Sequence, residues 1–247
     1  MTACGSEDEV RRPGESPWID EGSTRRLRYL EEAHRLRLMA DPSDHPWVAG
    51  MDEVGYGPLA GPVVVASVML PRGVIIPGLD DSKRLTAPAR SRLYPQIVER
   101  AVTIAVAFEP PSRIDEIGIL GAIGAAMRRA VRRLRPTPHL VLVDGRNEVV
   151  GLKVPQRTVV RGDSRYASIA AASVVAKVVR DTRMILLGRH YPEYSFEKNK
   201  GYGTEEHRRA LEEWGPCPQH RLSFMGGYRE QFSIFENRED PAGPPGG

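Results

Sequence analysis

The chain has 247 residues, and its 35 Lys and Arg residues against 32 Asp and Glu residues give a net charge of +3. This length can bury one full hydrophobic core, whereas so small a net charge does not by itself indicate a nucleic-acid partner. Cys4 and Cys217 are the two cysteines, which excludes a disulfide framework and a cysteine zinc site. No apolar segment approaches the roughly 20 residues that span a bilayer, and the first residues lack the pattern of a signal peptide. We therefore expect a cytoplasmic monomer with no membrane partner.

Three regions follow from composition along the chain. Residues 1–45 form a polar N-terminal extension, which we expect to be partly disordered or helical because residues 23–39 carry leucines at near-helical spacing. Residues 46–235 contain the apolar runs of one folded domain. Residues 236–247 end in a run of Pro and Gly, which predicts a disordered tail.

The elements of the folded domain are predicted from hydrophobic periodicity. Strands at 47–51 and 62–70 are expected to form a hairpin through a tight glycine turn. The pattern then predicts a helix at 87–100, a strand at 102–108, and a segment capped by Ser112 that precedes a helix at 119–134. Strands at 140–143 and 158–160 and a long helix at 166–187 follow. Hairpin strands followed by strands alternating with helices indicate an α/β fold, a mixed sheet flanked by helices.

Acidic residues close three of the apolar, strand-like runs. Asp52 and Glu53 end the first run, just before a segment rich in Gly and Pro, while Asp144 and Asp163 each follow a later run. Carboxylate oxygens suit Mg²⁺ or Mn²⁺, and carboxylates from separate strands hold the ions in two-metal phosphodiester hydrolysis. The sequence therefore predicts a catalytic metal site at Asp52, Glu53, Asp144 and Asp163.

Other interpretations of the same residues stay open. Neighbouring side chains on a regular strand point to opposite faces, so Asp52 and Glu53 share a site only if the strand ends or bends there. Each acidic residue alone could instead be a turn former. The glycine segment lacks the spacing of a nucleotide-binding loop, but free amides at Gly55 to Gly57 could donate to a phosphate or to a ribose 2′-hydroxyl.

Two basic groups are candidates for contact with a nucleic-acid backbone. The first consists of Arg128, Arg129, Arg132, Arg133 and Arg135, for which we favour a solvated helix face over phosphate binding. The second places Lys198, Lys200, Arg208 and Arg209 among three aromatic residues. We expect Tyr194 and Phe196 to pack in the core, and Tyr202, between two glycines, to be available for stacking on a sugar or base.

Seven motifs in order resemble the ribonuclease HII family, the bacterial type 2 ribonucleases H. They are Ala49-Gly50-Met51-Asp52-Glu53-Val54-Gly55, Asp81-Ser82-Lys83, Val143-Asp144-Gly145, Gly162-Asp163-Ser164, the run from Ala170 to Asp181, Lys200-Gly201-Tyr202-Gly203-Thr204 and His220-Arg221-Leu222-Ser223-Phe224. The resemblance covers about residues 47–228. It implies a ribonuclease H-like fold and a metal-dependent endonuclease that cuts the RNA strand of RNA–DNA hybrids, leaving a 5′-phosphate and a 3′-hydroxyl. It also implies action at ribonucleotides embedded in duplex DNA, and so a role in DNA replication and repair.

The resemblance implies a role for individual residues. Asp52, Glu53, Asp144 and Asp163 match the metal-site carboxylates of the family, and Tyr202 matches the tyrosine that packs against the deoxyribose at the scissile junction. Ser82 and Lys83 match a motif near the bound backbone. His207, His220, Arg180 and Asp181 we interpret as structural support.

One departure from the family pattern concerns the glycine segment. Gly55-Tyr56-Gly57 stands where the family usually has Gly-Arg-Gly, the segment that contacts the 2′-hydroxyl and phosphate at an RNA–DNA junction. Backbone contacts can survive this change, but the arginine charge is lost. We therefore expect weaker cleavage at a single embedded ribonucleotide than on long hybrids. The alternatives are a catalytically silent hybrid-binding module and another nuclease of the same superfamily.

Overall fold

The computed structural model describes residues 47–226, in which five strands form one mixed sheet. The strands are β1 Val48–Val54, β2 Val63–Met69, β3 Thr103–Glu109, β4 Leu140–Asp144 and β5 Gln156–Val159. Their order across the sheet is β3-β2-β1-β4-β5. Strands β1, β2 and β3 pair antiparallel, whereas β1, β4 and β5 pair parallel. The central strand β1 therefore joins the antiparallel half of the sheet to the parallel half.

Within residues 47–226, five α-helices accompany the sheet. They are α1 Ala87–Arg100, α2 Pro111–Arg133, α3 Ala167–His190, α4 Phe196–Asn199 and α5 Glu205–Trp214. Three short 3₁₀ turns lie at Gly162–Ser164, Pro192–Tyr194 and Leu222–Phe224. Among residues 47–226, no helix combines the length and apolar character needed to cross a membrane.

Strand side chains alternate between the two faces of the sheet, and helices bury the apolar side chains on both faces. On one face, Val64, Ala66 and Val68 of β2 share a buried cluster with α1 and α3. On the other face, Met51 of β1 and Val143 of β4 share a buried cluster with α2. These layers confirm the predicted α/β class, a mixed sheet flanked by helices.

The start of helix α3 lies in direct contact with β1. A Cβ atom on Gly50 would lie 2.1 Å from the backbone carbonyl carbon of Ser168, so only glycine permits this approach. The alanines at positions 170–172 continue the contact with fully buried small side chains. As a result, Ser173 on α3 reaches Asp52, two residues beyond Gly50 on β1.

Several sequence predictions differ from the structure at their ends. Helix α2 begins at Pro111 after Pro110, with no side-chain cap, so the prediction of Ser112 as a cap is wrong. The predicted break before residue 119 is present as a kink at Gly118, whose φ is 72°. Strands β1 and β2 pair as predicted, but residues 55–62 form a longer loop instead of a tight turn. The predicted helix at 23–39 and both chain ends lie outside the described residues.

Candidate active site

Three acidic side chains meet where the parallel pairing of β1 with β4 ends. The parallel pairing of Met51 with Val143 brings the next residues, Asp52 and Asp144, alongside each other. Asp163 lies in the 3₁₀ turn just after β5, the neighbour of β4. One carboxylate oxygen from each of these residues lies within 4.8 Å of the other two. We call Asp52, Asp144 and Asp163 the carboxylate cluster.

Local hydrogen bonds orient two members of the cluster. The Glu53 amide donates to Asp52 Oδ1 at 2.8 Å, and the Ser173 hydroxyl also bonds to the Asp52 carboxylate. The Gly162 amide donates to Asp144 Oδ1 at 2.7 Å, which fastens β4 to the turn that carries Asp163. A Cβ on Gly162 would meet Ile169 Cδ1 at 2.5 Å, so a larger residue in this turn would require the Ile169 side chain to move.

The electrostatics of the cluster favour a divalent cation. Burial, followed by the charges of Glu53 and Asp144, raises the pKa of Asp52 well above its usual value. Burial and the Asp144 charge likewise raise the pKa of Asp163. Bringing carboxylates together in a buried site is unfavourable unless a positive charge compensates them. Because all the donors are oxygens, the cluster fits Mg²⁺ or Mn²⁺ and does not fit zinc or copper.

Glu53 lies beside the carboxylate cluster but is not part of it. The condition that β1 end or bend at Asp52 is not met, since regular pairing with β2 continues through Val54. The Glu53 side chain therefore starts from the opposite side of the strand. Burial, and then the Asp144 charge, raises the pKa of Glu53 to about 7. The charge of Glu53 nevertheless acts on Asp52, and that of Asp144 acts on Glu53, so the role predicted for Glu53 as a fourth metal-site carboxylate stays a prediction.

The residues of the Asp81-Ser82-Lys83 motif face in different directions. Lys83 Nζ lies 3.5 Å from Asp163 Oδ2, at the edge of the carboxylate cluster. The Ser82 side chain is buried, and its Oγ lies 2.7 Å from Ser173 Oγ. This hydroxyl supports Ser173, which in turn bonds to Asp52, and the predicted place of Ser82 near a bound nucleic-acid backbone stays a prediction.

The first three residues of the glycine-rich loop at residues 55–62 differ in their exposure to solvent. Gly55 is buried with a φ of 102°, and a Cβ there would lie 2.5 Å from Arg180 Nε. Gly57 has open space around its Cβ position, and the Tyr56 side chain is 53% exposed. A ligand can therefore approach Tyr56 and Gly57, whereas Gly55 is required for packing.

Two buried arginines hold this loop from beneath. Arg180 donates to the carbonyls of Ala60 and Pro62, at 3.2 and 3.0 Å. Arg221 donates to the carbonyls of Gly61 and Tyr56, at 3.0 and 3.1 Å. The structural role predicted for Arg180 is confirmed. The individual role of Arg221 was missed, because no local pattern distinguishes a buried arginine from an exposed one.

A pair of buried histidines fixes the segment that carries Tyr202. His207 Nδ1 lies 2.9 Å from the Tyr202 carbonyl oxygen, and His207 Nε2 lies 2.9 Å from His220 Nε2. The Leu59 amide donates to the Gly201 carbonyl at 2.8 Å, which ties this segment to the glycine-rich loop. The Tyr202 side chain remains 46% exposed. The structural role predicted for both histidines is confirmed.

The two basic groups contribute mainly to the fold. Arg129 and Arg133 of α2 donate to carbonyls of the edge strand β3, at Phe108 and Val106. In the second group, Lys198 pairs with Glu206 and Arg209 pairs with Glu205. The aromatic residues behave as predicted, since Tyr194 and Phe196 are buried in a hydrophobic cluster while Tyr202 is exposed.

Comparisons with known proteins agree with this geometry. The family model described as Ribonuclease HII matches residues 49–226. Ribonuclease HII of Desulfitobacterium hafniense is 48% identical over 201 residues, covering 79% of this chain and 77% of that protein. Ribonuclease H2 of Pyrococcus horikoshii superposes with a TM-score of 0.65 at 24% identity, covering 78% of this chain and 100% of that one. Bst-RNase HIII in complex with Mn²⁺ gives a TM-score of 0.58 at 20% identity, over 84% and 73% of the two chains. The chain therefore belongs to the ribonuclease HII family and is a ribonuclease H endonuclease.

Proposed function

We propose that the carboxylate cluster binds Mg²⁺ or Mn²⁺ and that the enzyme uses it to hydrolyse the RNA strand of RNA–DNA hybrids. The observation that carries this proposal is the meeting of three carboxylate oxygens within 4.8 Å at the ends of parallel strands. The Mn²⁺ complex of Bst-RNase HIII, a protein of the same fold, supports the choice of metal.

The reaction is hydrolysis of a phosphodiester. A water oxygen forms a bond to phosphorus while the bond from phosphorus to O3′ breaks, which leaves a 5′-phosphate and a 3′-hydroxyl. The bound metal supplies positive charge and a more acidic water. Asp52, Asp144 and Asp163 would hold the metal, with Glu53 beside them. Burial and the Asp144 charge raise the pKa of Glu53 to about 7 in the metal-free protein, and a bound cation beside it would favour the ionised carboxylate.

Substrate contacts are assigned to the exposed groups around the carboxylate cluster. The Gly57 backbone is open to solvent and suits a bond to a 2′-hydroxyl or a phosphate, the contact that separates RNA from DNA. Tyr202 offers an exposed ring for packing against a deoxyribose. Lys83 offers an exposed ammonium for a phosphate. Ser82 and Gly55 act indirectly, by supporting Asp52 through Ser173 and by allowing the loop to pack.

The catalytic domain, the range of substrates and the cellular role are assigned from the same site. We assign the activity to a catalytic domain at residues 46–235, acting as a monomer in the cytoplasm. Its substrates include duplex DNA with embedded ribonucleotides, which gives it a role in ribonucleotide removal during DNA replication and repair. Cleavage at a single ribonucleotide is the weaker activity, since Tyr56 supplies no positive charge to the junction phosphate.

The proposed metal site is tested by Asp144→Asn. This change keeps the shape of the side chain but removes one negative ligand, so we expect cleavage of a labelled RNA–DNA hybrid in Mg²⁺ or Mn²⁺ to fall at least about a thousandfold. Binding of the same hybrid in EDTA, measured by fluorescence anisotropy, should change less than about threefold.

The matched control is Glu213→Gln, an acid-to-amide change at an exposed position on α5, which should leave both measurements unchanged. Unchanged turnover in Asp144→Asn would overturn the site assignment. Binding of the hybrid by the native protein without cleavage in either metal would indicate a silent binding module.

A further inference from the structure

Lys83 lies where its ammonium can pair either with Asp163 or with a nucleic-acid phosphate. Its Nζ lies 3.5 Å from Asp163 Oδ2, and its side chain is 77% exposed while that of Asp163 is 5% exposed. The lysine thus reaches in from solvent to neutralise one member of the carboxylate cluster. The same exposed ammonium is the group available to a nucleic-acid phosphate.

The backbone around Lys83 is fixed, so that its side chain alone is free to move. The Lys83 amide donates to Asp81 Oδ1 at 2.9 Å, and the preceding Ser82 is buried against Ser173. Arg90 Nη1 donates to the Ser82 carbonyl at 2.8 Å. A lysine side chain has four rotatable carbons and a point charge that is not tied to one geometry. Its ammonium can therefore change partners without a movement of the loop.

We propose that Lys83 is an exchangeable counterion: its ammonium pairs with Asp163 in the metal-free protein and transfers to a substrate phosphate when nucleic acid binds, so that substrate and metal strengthen each other's binding. This inference deepens the proposed function and rests on the carboxylate cluster being the metal site.

The coupling follows from charge. An ammonium beside Asp163 repels a divalent cation and competes with it for the negative charge of the Asp163 carboxylate. A phosphate that attracts the ammonium removes both obstacles. Because coupling between two binding events is reciprocal, the metal must improve phosphate binding by the same factor. Because the exposed Lys83 side chain is screened by solvent, we expect this coupling factor to be at the low end of the values usual for allosteric coupling.

The test is Lys83→Ala, measured in two separate titrations. Without nucleic acid, isothermal titration calorimetry with Mn²⁺ should show binding about fivefold tighter than in the native protein, because the competing ammonium is gone. In EDTA, anisotropy with a labelled RNA–DNA hybrid should show weaker binding, with a salt dependence shallower by about one unit of slope. Damage to the structure would weaken both interactions, whereas the proposal requires changes of opposite sign.

Lys198→Ala is the matched control for the metal titration. Lys198 is also exposed and also pairs with a carboxylate at 3.5 Å, but its partner is Glu206, outside the carboxylate cluster. The Mn²⁺ affinity of the Lys198→Ala variant should equal that of the native protein. Lys83→Arg, which keeps the positive charge, should not reproduce the fivefold gain.

The outcomes separate this inference from the proposed function. Asp163→Asn should weaken Mn²⁺ binding if the carboxylate cluster is the metal site, and an unchanged affinity would overturn both the metal site and the role of Lys83. If Asp163→Asn weakens Mn²⁺ binding but Lys83→Ala leaves it unchanged or weaker, the metal site stands and the counterion role is refuted.

Discussion

At the scale of single residues, the backbone of Tyr56 is held inside the protein while its side chain faces solvent. The Tyr56 carbonyl accepts a hydrogen bond from Arg221 at 3.1 Å, so the backbone conformation is fixed from within the protein. The phenol ring itself is 53% exposed. A substitution here can therefore change what the loop offers to a nucleic acid without changing the fold.

Tyr56→Arg should improve cleavage at a single ribonucleotide. A guanidinium can form charge-assisted bonds with the junction phosphate, and we expect the rate on DNA with one ribonucleotide to rise about tenfold relative to the rate on a long hybrid. Both rates are measured with labelled duplexes in the same metal. Tyr56→Phe, which adds no charge, should keep the native ratio.

An unchanged ratio in Tyr56→Arg would show that the arginine side chain is not what directs the family to the junction. A fall in both rates together would show instead that the loop itself was disturbed. The hybrid rate should stay within about twofold of the native rate, because the added side chain points into solvent and no buried contact is lost.

Ser82 shows what the sequence alone left undecided at this scale. It lies between two charged residues, Asp81 and Lys83, which favours an exposed loop in contact with a phosphate. The structure instead buries its hydroxyl against Ser173. The reason is the position of α3, since the partner of Ser82 comes from residue 173, far along the chain, and no local pattern can indicate it.

At the scale of elements, the contact of β1 with α3 determines the geometry of the carboxylate cluster. Strand β1 runs regularly through Asp52 and Glu53, which sends their side chains to opposite faces. Asp52 lies on the face covered by α3, where Ser173 bonds to it. The carboxylate cluster therefore depends on how closely this helix approaches the strand.

Gly50→Ala should destabilise the protein by about 3 kcal/mol, because the new methyl group would overlap backbone atoms that cannot move independently. Its Cβ would lie 2.1 Å from the Ser168 carbonyl carbon and 2.2 Å from the Ile169 nitrogen. The measurement is the free energy of unfolding in urea. Gly57→Ala is the control, since nothing lies within 4 Å of its Cβ position, and its stability should change by less than about 0.5 kcal/mol. Equal stability of the two variants would contradict the close approach of α3 to β1.

At the scale of the whole molecule, the buried histidine pair links stability to pH. His220 is buried against the rings of Tyr194 and Phe196, and its Nδ1 accepts from the Cys217 amide at 2.9 Å. Burial, and then the charge of His207, lowers the pKa of His220 to about 4. Burial lowers the pKa of His207 as well. Both rings are therefore neutral in the folded protein at neutral pH.

The sign of the pH dependence follows from proton binding. An unfolded His220 has a pKa near 6.5, so between about pH 6.5 and pH 4 the unfolded state binds more protons than the folded state. The contribution of His220 to the free energy of unfolding is therefore largest above about pH 6.5. It decreases as the pH falls, by up to about 3 kcal/mol at pH 4.

His220→Asn should reduce this dependence, because asparagine keeps an acceptor for the Cys217 amide but does not titrate. We expect a shallower loss of the free energy of unfolding in urea between pH 7 and pH 4.5 than in the native protein. The comparison reports the histidine pair as a unit, because His207 loses its His220 partner in the variant. Identical slopes in the two proteins would contradict the assignment.

The sequence by itself determined the α/β class, most of the elements and the chemistry of the site. Hydrophobic periodicity and glycine positions are local signals, and acidic residues after strand-like runs predict carboxylates at strand ends. Asp52, Glu53, Asp144 and Asp163 were predicted in this way, and the fold brings oxygens of three of them together. Ordered motifs predicted the family that the comparisons show.

Tertiary structure decided which of those residues act together. The parallel register of β1 with β4 brought Asp52 beside Asp144, while Glu53 starts from the opposite side of the regular strand β1. Packing also turned Ser82 inward and placed Arg221 beneath the glycine-rich loop. Such contacts join residues distant in sequence, and their geometry depends on the packing of complete helices and strands, which no short pattern of residues encodes.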